Sequence, residues 1–360
     1  MMLGAMALMA ITAHAQWTIE NSNSTASLRG VHSLGGGIAW ASGTNGTVLR
    51  TEDGGYLWQT CTIPPGAEKL DFRGIQGFDA NTAIVMSSGK GDLSRLYKTT
   101  DGCSSWKLLF SNSDPDGFWD ALAFKNQGIG ELVGDPVKGH FVVRSLMGPN
   151  WFTECGDLFA PVAREGEAAF AASNSSVLSF GRRDFMLGTG GVHGSRVIFF
   201  HTQLAKGSND QLETIQDTRD VPIATGKDST GIFALGMKDR ENIIAVGGDY
   251  QKPDESSGTA AFTTDGGKTW QAATTPPHGY RSAVAYDAAT KTWITVGPNG
   301  TDISIDDGKN WRPVKPNTSL NEPADADKNW NAISLPFVVG PHGRIGKLNE
   351  PALKAALSTK

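Results

Sequence analysis

Short apolar runs recur along this chain, separated by glycine, asparagine and aspartate instead of by the polar face of a helix. In the first group "LRGVHSL", "GIAWASG" and "GTVLRTE" follow one another between residues 28 and 52. Their β-branched residues and short length predict strands, not helices. Between second and third runs lie "WASGTNGTVL", "ITVGPNGTDI" and "FVVGPHGRIG", where Asn-Gly or its like suits a tight hairpin. The same succession restarts near residues 72, 119, 166, 229, 280 and 330. Spacings of roughly 40 to 60 residues are those of four-stranded propeller blades. The pattern predicts an all-β protein, a seven-bladed β-propeller of antiparallel four-stranded blades.

A motif rides on this repeat. "RTEDGGYLWQ" (50–59), "KTTDGCSSWK" (98–107), "FTTDGGKTWQ" (262–271) and "SIDDGKNWRP" (304–313) share S/T-x-D-x-G-x-x-W, and "RSLMGPNWFT" (144–153) keeps only the glycine and tryptophan. Asp53, Asp101, Asp265 and Asp306 are expected in the turn between a blade's third and fourth strands, accepting bonds from unpaired backbone N–H groups. Trp58, Trp106, Trp270 and Trp311 are expected to fold back onto their own or a neighbouring blade. These residues therefore read as structural, although loop chemistry is the alternative.

The last unit, "NWNAISLPFVVGPHGRIGKL", supplies three strands, whereas "QWTIENS" near the start is a strand with no blade of its own. The N-terminal strand is expected to complete the seventh blade and remove two open sheet edges. Residues 16–350 then form one propeller domain and 351–360 a C-terminal tail. Segments 205–229 and 314–329, rich in Asp, Asn, Pro and Thr, read as surface excursions.

The motif, together with "LRGVHSLGGGIAWASGTNGTVLRTEDGG", "LDFRGIQGFDANTAIVM" and "GDPVKGHFVVRS", resembles the Asp-box (BNR-like) propellers of the photosystem II stability/assembly factor-like family and their bacterial relatives. The resemblance implies a seven-bladed binding protein without established catalysis. The Asp box is shared with sialidases, so it marks architecture more than activity.

Composition narrows the partners. Forty-four glycines and 19% charged residues suit a turn-rich globular protein, and a net charge of −5 supplies no basic field for nucleic acid. Cys61, Cys103 and Cys155 are an odd set without metal-ligand spacing, so at most one bridge is possible. The seven histidines lack zinc spacing with carboxylates, and no phosphate loop stands before a helix. No metal and no cofactor are expected. Residues 1–15 are apolar and end in Ala13-His14-Ala15, a small-x-small cleavage pattern, although no Lys or Arg precedes the run. They read as a signal peptide of an exported protein, the alternative being a buried N-terminal segment. No later stretch is apolar enough to span a membrane. A monomer is expected.

Candidate chemistry lies in the first strands. Aligning "LRGVH", "FRGIQ", "WDALA", "GEAAF", "STGIF", "YRSAV" and "WNAIS" gives a polar column: Arg29, Arg73, Asp120, Glu167, Thr230, Arg281 and Asn331. First strands line a propeller's channel, so this column is expected to ring one mouth and hold a protein or a small polar or acidic ligand. The alternative is a solvated mouth whose charges pair across it. Longer second-to-third loops in units two to five bring Asp135, Lys138, His140, His193, Asp249, Tyr250 and Lys252 to the same face as a wall. Individually these also suit solvated loops, and Asp135 and Asp249 also suit turn caps. A second function class is glycoside hydrolysis of the sialidase type. Arg29, Arg73 and Arg281 would hold a carboxylate, with Tyr250, Glu167 and Asp120 or Asp135 as the reacting set. Sialidases place an Arg-Ile-Pro motif early, whereas Gly30-Val31 follow Arg29 here.

Overall fold

The computed structural model describes residues 17–126, 129–147, 160–180, 184–204, 206, 212–316, 318 and 323–358. The expected signal peptide, Cys155 and Trp151 lie outside them. Seven antiparallel sheets follow one another along the chain, as the repeat predicts. Blade 1 runs Leu28–Gly35, Ile38–Gly43, Val48–Thr51, Gln59–Thr60, and blade 2 runs Phe72–Gly77, Ala83–Ser87, Arg95–Thr99, Lys107–Ser111. Blade 3 shows three strands among the described residues, Trp119–Asn126, Ile129–Val137 and His140–Met147. Blade 5 begins at Thr230–Met237, blade 6 at Ala283–Asp287 and blade 7 at Ala332–Ser334. The N-terminal strand Trp17–Glu20 pairs with Ile345–Leu348 as blade 7's outer strand. The ring is thus fastened by pairing the first described strand with the last.

The core is divided among the blade interfaces. Each of the seven junctions holds its own cluster of buried side chains, from the Trp40, Phe72 and Tyr97 group between blades 1 and 2 to the Trp17, Trp330 and Ile294 group between blades 6 and 7. Strand faces that point sideways to a neighbouring blade are apolar, which is why short β-branched runs build this fold.

The repeated motif explains how the junctions are set. Thr51, Thr99, Thr263 and Ser304 each bond the motif aspartate through the hydroxyl and accept the backbone N–H four residues on. The carboxylates of Asp53, Asp101, Asp265 and Asp306 accept the N–H of Leu57, Ser105, Thr269 and Asn310 at 3.0 Å. These bonds lower the aspartate pKa values, to about 2 at Asp101 and Asp265. The turn ends on a positive-φ residue: Gly55, Gly267 and Gly308, with Cys103 replacing glycine. A Cβ at those three glycines would meet Phe337, Phe199 or Ile244 of the preceding blade within 2.8 Å. Trp58, Trp106, Trp270 and Trp311 pack against that same preceding blade. At Cys103 the contact is covalent, a disulfide to Cys61 of blade 1.

Three expectations change. Segment 205–229 is not an excursion throughout, because Leu212–Val221 pairs residue for residue with Ser195–Leu204 in a long blade-4 hairpin. The blade-3 stretch "GDPVKGH" is not a long loop either. Its strands continue to Val137 and His140, and Lys138-Gly139, both with positive φ, make a two-residue turn. The tail expected at 351–360 begins as the helix Glu350–Ser358, whose Leu353 is buried between blades 6 and 7.

Candidate functional site

Strand register decides which residues reach the channel. In blades 1, 2 and 3 a β-bulge follows the first paired residue, and the bulged positions are Arg29, Arg73 and Asp120. A bulge leaves one residue outside the ladder and turns its side chain away from the sheet. Blade 5 carries the same bulge at Phe233, and in blade 6 register places Ser282 at this level. Thr230 and Arg281 therefore stand off the column that sequence alignment gives them.

Their contacts agree with that displacement. The Arg281 guanidinium is fully buried and bonds Asp302, Asn299 and the Tyr280 carbonyl inside blade 6. Glu167 is buried in blade 4 against Arg196, with Oε1 2.7 Å from its Nε and Oε2 2.8 Å from its Nη2. The Thr230 hydroxyl donates to the Lys227 carbonyl, and the Asn331 amide donates to the Leu28 carbonyl across the ring's closing junction. Arg281, Glu167 and Thr230 thus spend their side chains away from Arg29 and Arg73, whereas Asn331 bonds the residue beside Arg29. The arginine triad that a sialidase-type site requires is not assembled.

What the structure does bring together is a charged half-ring on blades 1 to 3. Arg73 Nε donates to Asp71 Oδ2 at 2.8 Å, and Arg29 Nε lies 3.9 Å from Asp71 Oδ1 without a hydrogen bond. Burial lowers the pKa of Arg29, opposed by Asp71 and assisted by Arg73. Asp120 is 1% exposed, and its Oδ2 has no hydrogen-bond partner. Asp135 occupies a second bulge, between Gly134 and Pro136 on the adjacent strand, so two bulges aim two carboxyls at one space. Asp71 was not singled out by alignment because it precedes its strand by one residue.

The opposite half-ring is aromatic. Phe170 stacks on Phe233 with centroids 4.0 Å apart, Tyr280 meets Phe233 edge-on at 4.8 Å, and Tyr250 approaches it at 6.0 Å. Burial pushes the Tyr280 hydroxyl pKa up. Phe170 comes from an insertion that the repeat conceals. Blade 4's inner strand is split into Glu167–Ala168 and Val177–Ser179, and the residues between them cross the channel. They are tied to four other blades: Ala169 N–H to Asp135 Oδ1, Ala171 O to Arg73 Nη1, Ser173 Oγ to Ser282 O, Asn174 Oδ1 to Leu122 N–H, and Ser175 O to Leu235 N–H. The channel is therefore stoppered. Behind the stopper lies a funnel of about 350 Å³ at the other face, lined by His32, Gln76, Phe124, Tyr286, Ser334 and neighbours, with no ionised side chain. Burial drops the His32 pKa to about 4.

The remaining loop residues have local partners. Asp249 is buried, pairs with Lys227 at 2.9 Å and accepts the Gln251 N–H, while Lys252 N–H donates to its carbonyl. His140 Nδ1 sits 3.2 Å from the Ala160 carbonyl, and the His193 carbonyl accepts from Arg164. Among the described residues no group of three His, Cys, Asp or Glu side chains could hold a metal ion, and no helix is long and apolar enough to cross a membrane.

No family model matches the chain. Among curated proteins it is similar to the photosystem II assembly lipoprotein Ycf48 of Picosynechococcus sp. strain PCC 7002, 26% identical over 279 residues that cover 64% of this chain and 69% of that protein. Among solved structures it is similar to Ycf48 bound to D1 peptide, with a TM-score of 0.54 and 14% identity, covering 94% of this chain and 99% of that one. Ycf48 from Cyanidioschyzon merolae gives a TM-score of 0.51 at 18% identity over 93% and 99% of the two chains. The two structures share the seven-bladed fold.

Proposed function

We propose that this chain is an exported, non-catalytic propeller that binds a segment of another protein at the stoppered mouth. The observation that carries the reading is a charge cluster that solvent reaches: the Arg29, Arg73 and Asp71 side chains stand together and are 30%, 28% and 23% exposed. A docking chain that brings its own carboxylates would pair with the two guanidinium groups. Of the aromatic half-ring, the exposed Tyr250 offers its ring to the same segment. Likeness to a Ycf48 seen with a D1 peptide supports a peptide-sized occupant.

Export is supported by the Cys61–Cys103 disulfide, a bond that persists in oxidising compartments, and by the Ala13-His14-Ala15 pattern. The wall residues Asp135, His140, His193, Asp249, Tyr250 and Lys252 would form the rim of the contact.

The test is capture of partners from an exported fraction by the purified protein, followed by titration of the recovered partner. Arg29→Ala with Arg73→Ala should weaken binding about 10- to 100-fold, the effect of losing charge-assisted bonds of about 1.5–3 kcal/mol. Substitution of the exposed Lys268 in a motif turn to Ala should leave it unchanged. Equal affinity in the arginine double variant would move the site off this mouth, and turnover of a fluorogenic sialoside would overturn the non-catalytic reading.

A further inference from the structure

We infer that the charge of this mouth, and with it the kind of segment it accepts, is set by a proton held between Asp120 and Asp135. The inference rests on the reading of the mouth as the binding surface.

The geometry comes first. Two facing bulges in blade 3 turn these carboxyls into one space. Asp120 is all but fully buried with Oδ2 unpartnered, while Asp135 spends Oδ1 on the Ala169 N–H of the stopper. No cation is bonded to either carboxylate in a described contact. Arg73 lies close enough to favour the ionised form of Asp120, but its Nε is committed to Asp71 and its Nη1 to the Ala171 carbonyl. Two buried carboxylates that act on each other cannot both ionise cheaply. Burial, and then the Asp135 charge, push the Asp120 carboxyl well above its ordinary range, and burial pushes Asp135 up to about 6. The pair therefore titrates as a unit, above the ordinary carboxylate range.

The surrounding groups make that proton consequential. Blade 1 contributes Arg29, blade 2 Arg73 and Asp71, and blade 6 the neutral Tyr280 hydroxyl. Blade 4 contributes the Ala169 N–H, its Glu167 being neutralised by Arg196. Two guanidinium charges thus face one fixed carboxylate and the pair. With one proton on the pair the mouth is neutral; with two it is net positive; with none it is net negative. Acidification should therefore favour an acidic segment.

The test uses a fluorescent tetrapeptide with blocked termini and two aspartates, and its asparagine counterpart, titrated against the whole protein from pH 5 to pH 8. The acidic probe should bind about tenfold tighter at pH 5 than at pH 8, the change expected of one charge-assisted contact. The asparagine probe should show no such slope. The Asp120→Asn/Asp135→Asn variant keeps both acceptor oxygens and should bind the acidic probe tightly at every pH. A flat wild-type profile, or a slope that survives in the double variant, overturns the inference while leaving the mouth as a binding site. Absence of binding at all pH values, in both wild type and double variant, overturns the site itself and the inference with it. Carbon-13 NMR of the aspartate carboxyls reads the proton directly, and titration of both Asp120 and Asp135 below pH 4.5 would also refute the shared proton.

Discussion

At the scale of single residues, the repeated motif works through two side chains where the sequence pattern emphasises one. The aspartate was legible as a turn cap, yet the hydroxyl two residues before it carries equal weight, because it alone satisfies the buried N–H of Gly55, Cys103, Gly267 or Gly308. Thr263→Val is expected to lower stability by about 1–3 kcal/mol in urea unfolding, the effect of an orphaned buried N–H group. The same scale gives a pH signature with two opposing signs. Asp135 is pushed up to about 6, so the folded state holds its proton more tightly and gains stability as pH falls from about 6 towards 4. His32 is pushed down to about 4, so the folded state resists protonation and loses stability as pH falls through 6.5 towards 4. Melting curves should show that His32→Gln is more stable at pH 5 relative to pH 7 than the wild type, and Asp135→Asn less so. Asp101 and Asp265, held at about 2, contribute stability that is present above the ordinary aspartate range and is lost only as pH falls towards 2.

At the scale of elements, blades were legible and register was not. Turn residues and strand composition announce where a blade begins, because Gly, Asn and β-branched residues act locally. Bulges are decided by packing, so in blades 5 and 6 the polar Thr230 and Arg281 stand beside the bulge level, which Phe233 and Ser282 occupy. The blade-4 insertion was hidden for a related reason: "AFAASNSS" is small and polar enough to pass for a strand and its turn. Its role depends on contacts with blades 2, 3, 5 and 6 that no local signal encodes. Asn174→Ala would leave the Leu122 N–H without its acceptor. It should speed hydrogen exchange at Leu122 and Leu235 and leave exchange in blade 7 unaltered, a pattern that mass spectrometry of exchanged peptides can check.

At the scale of the whole molecule, stability is shared among junctions, and each one couples only neighbours. The Cys61–Cys103 link spans 42 residues and joins blades 1 and 2, which in the chain-entropy account contributes up to about 4 kcal/mol. The closing junction has no such bond. It relies on Trp17, fully buried against Trp330 and hydrogen-bonded to Thr301 of blade 6 at 3.1 Å. Trp17→Ala should cost about 3–5 kcal/mol in denaturant unfolding, with the loss concentrated in blades 6 and 7. Pairing of the first strand with the last also imposes an order of events during synthesis. Trp17 is made long before its partner Leu348. Blades 1 to 6 can assemble in turn as they emerge, but the circle stays an open crescent until translation has passed Leu348. A prematurely ended chain therefore leaves its first strand unpaired, an exposed edge that distinguishes an unfinished molecule from a finished one.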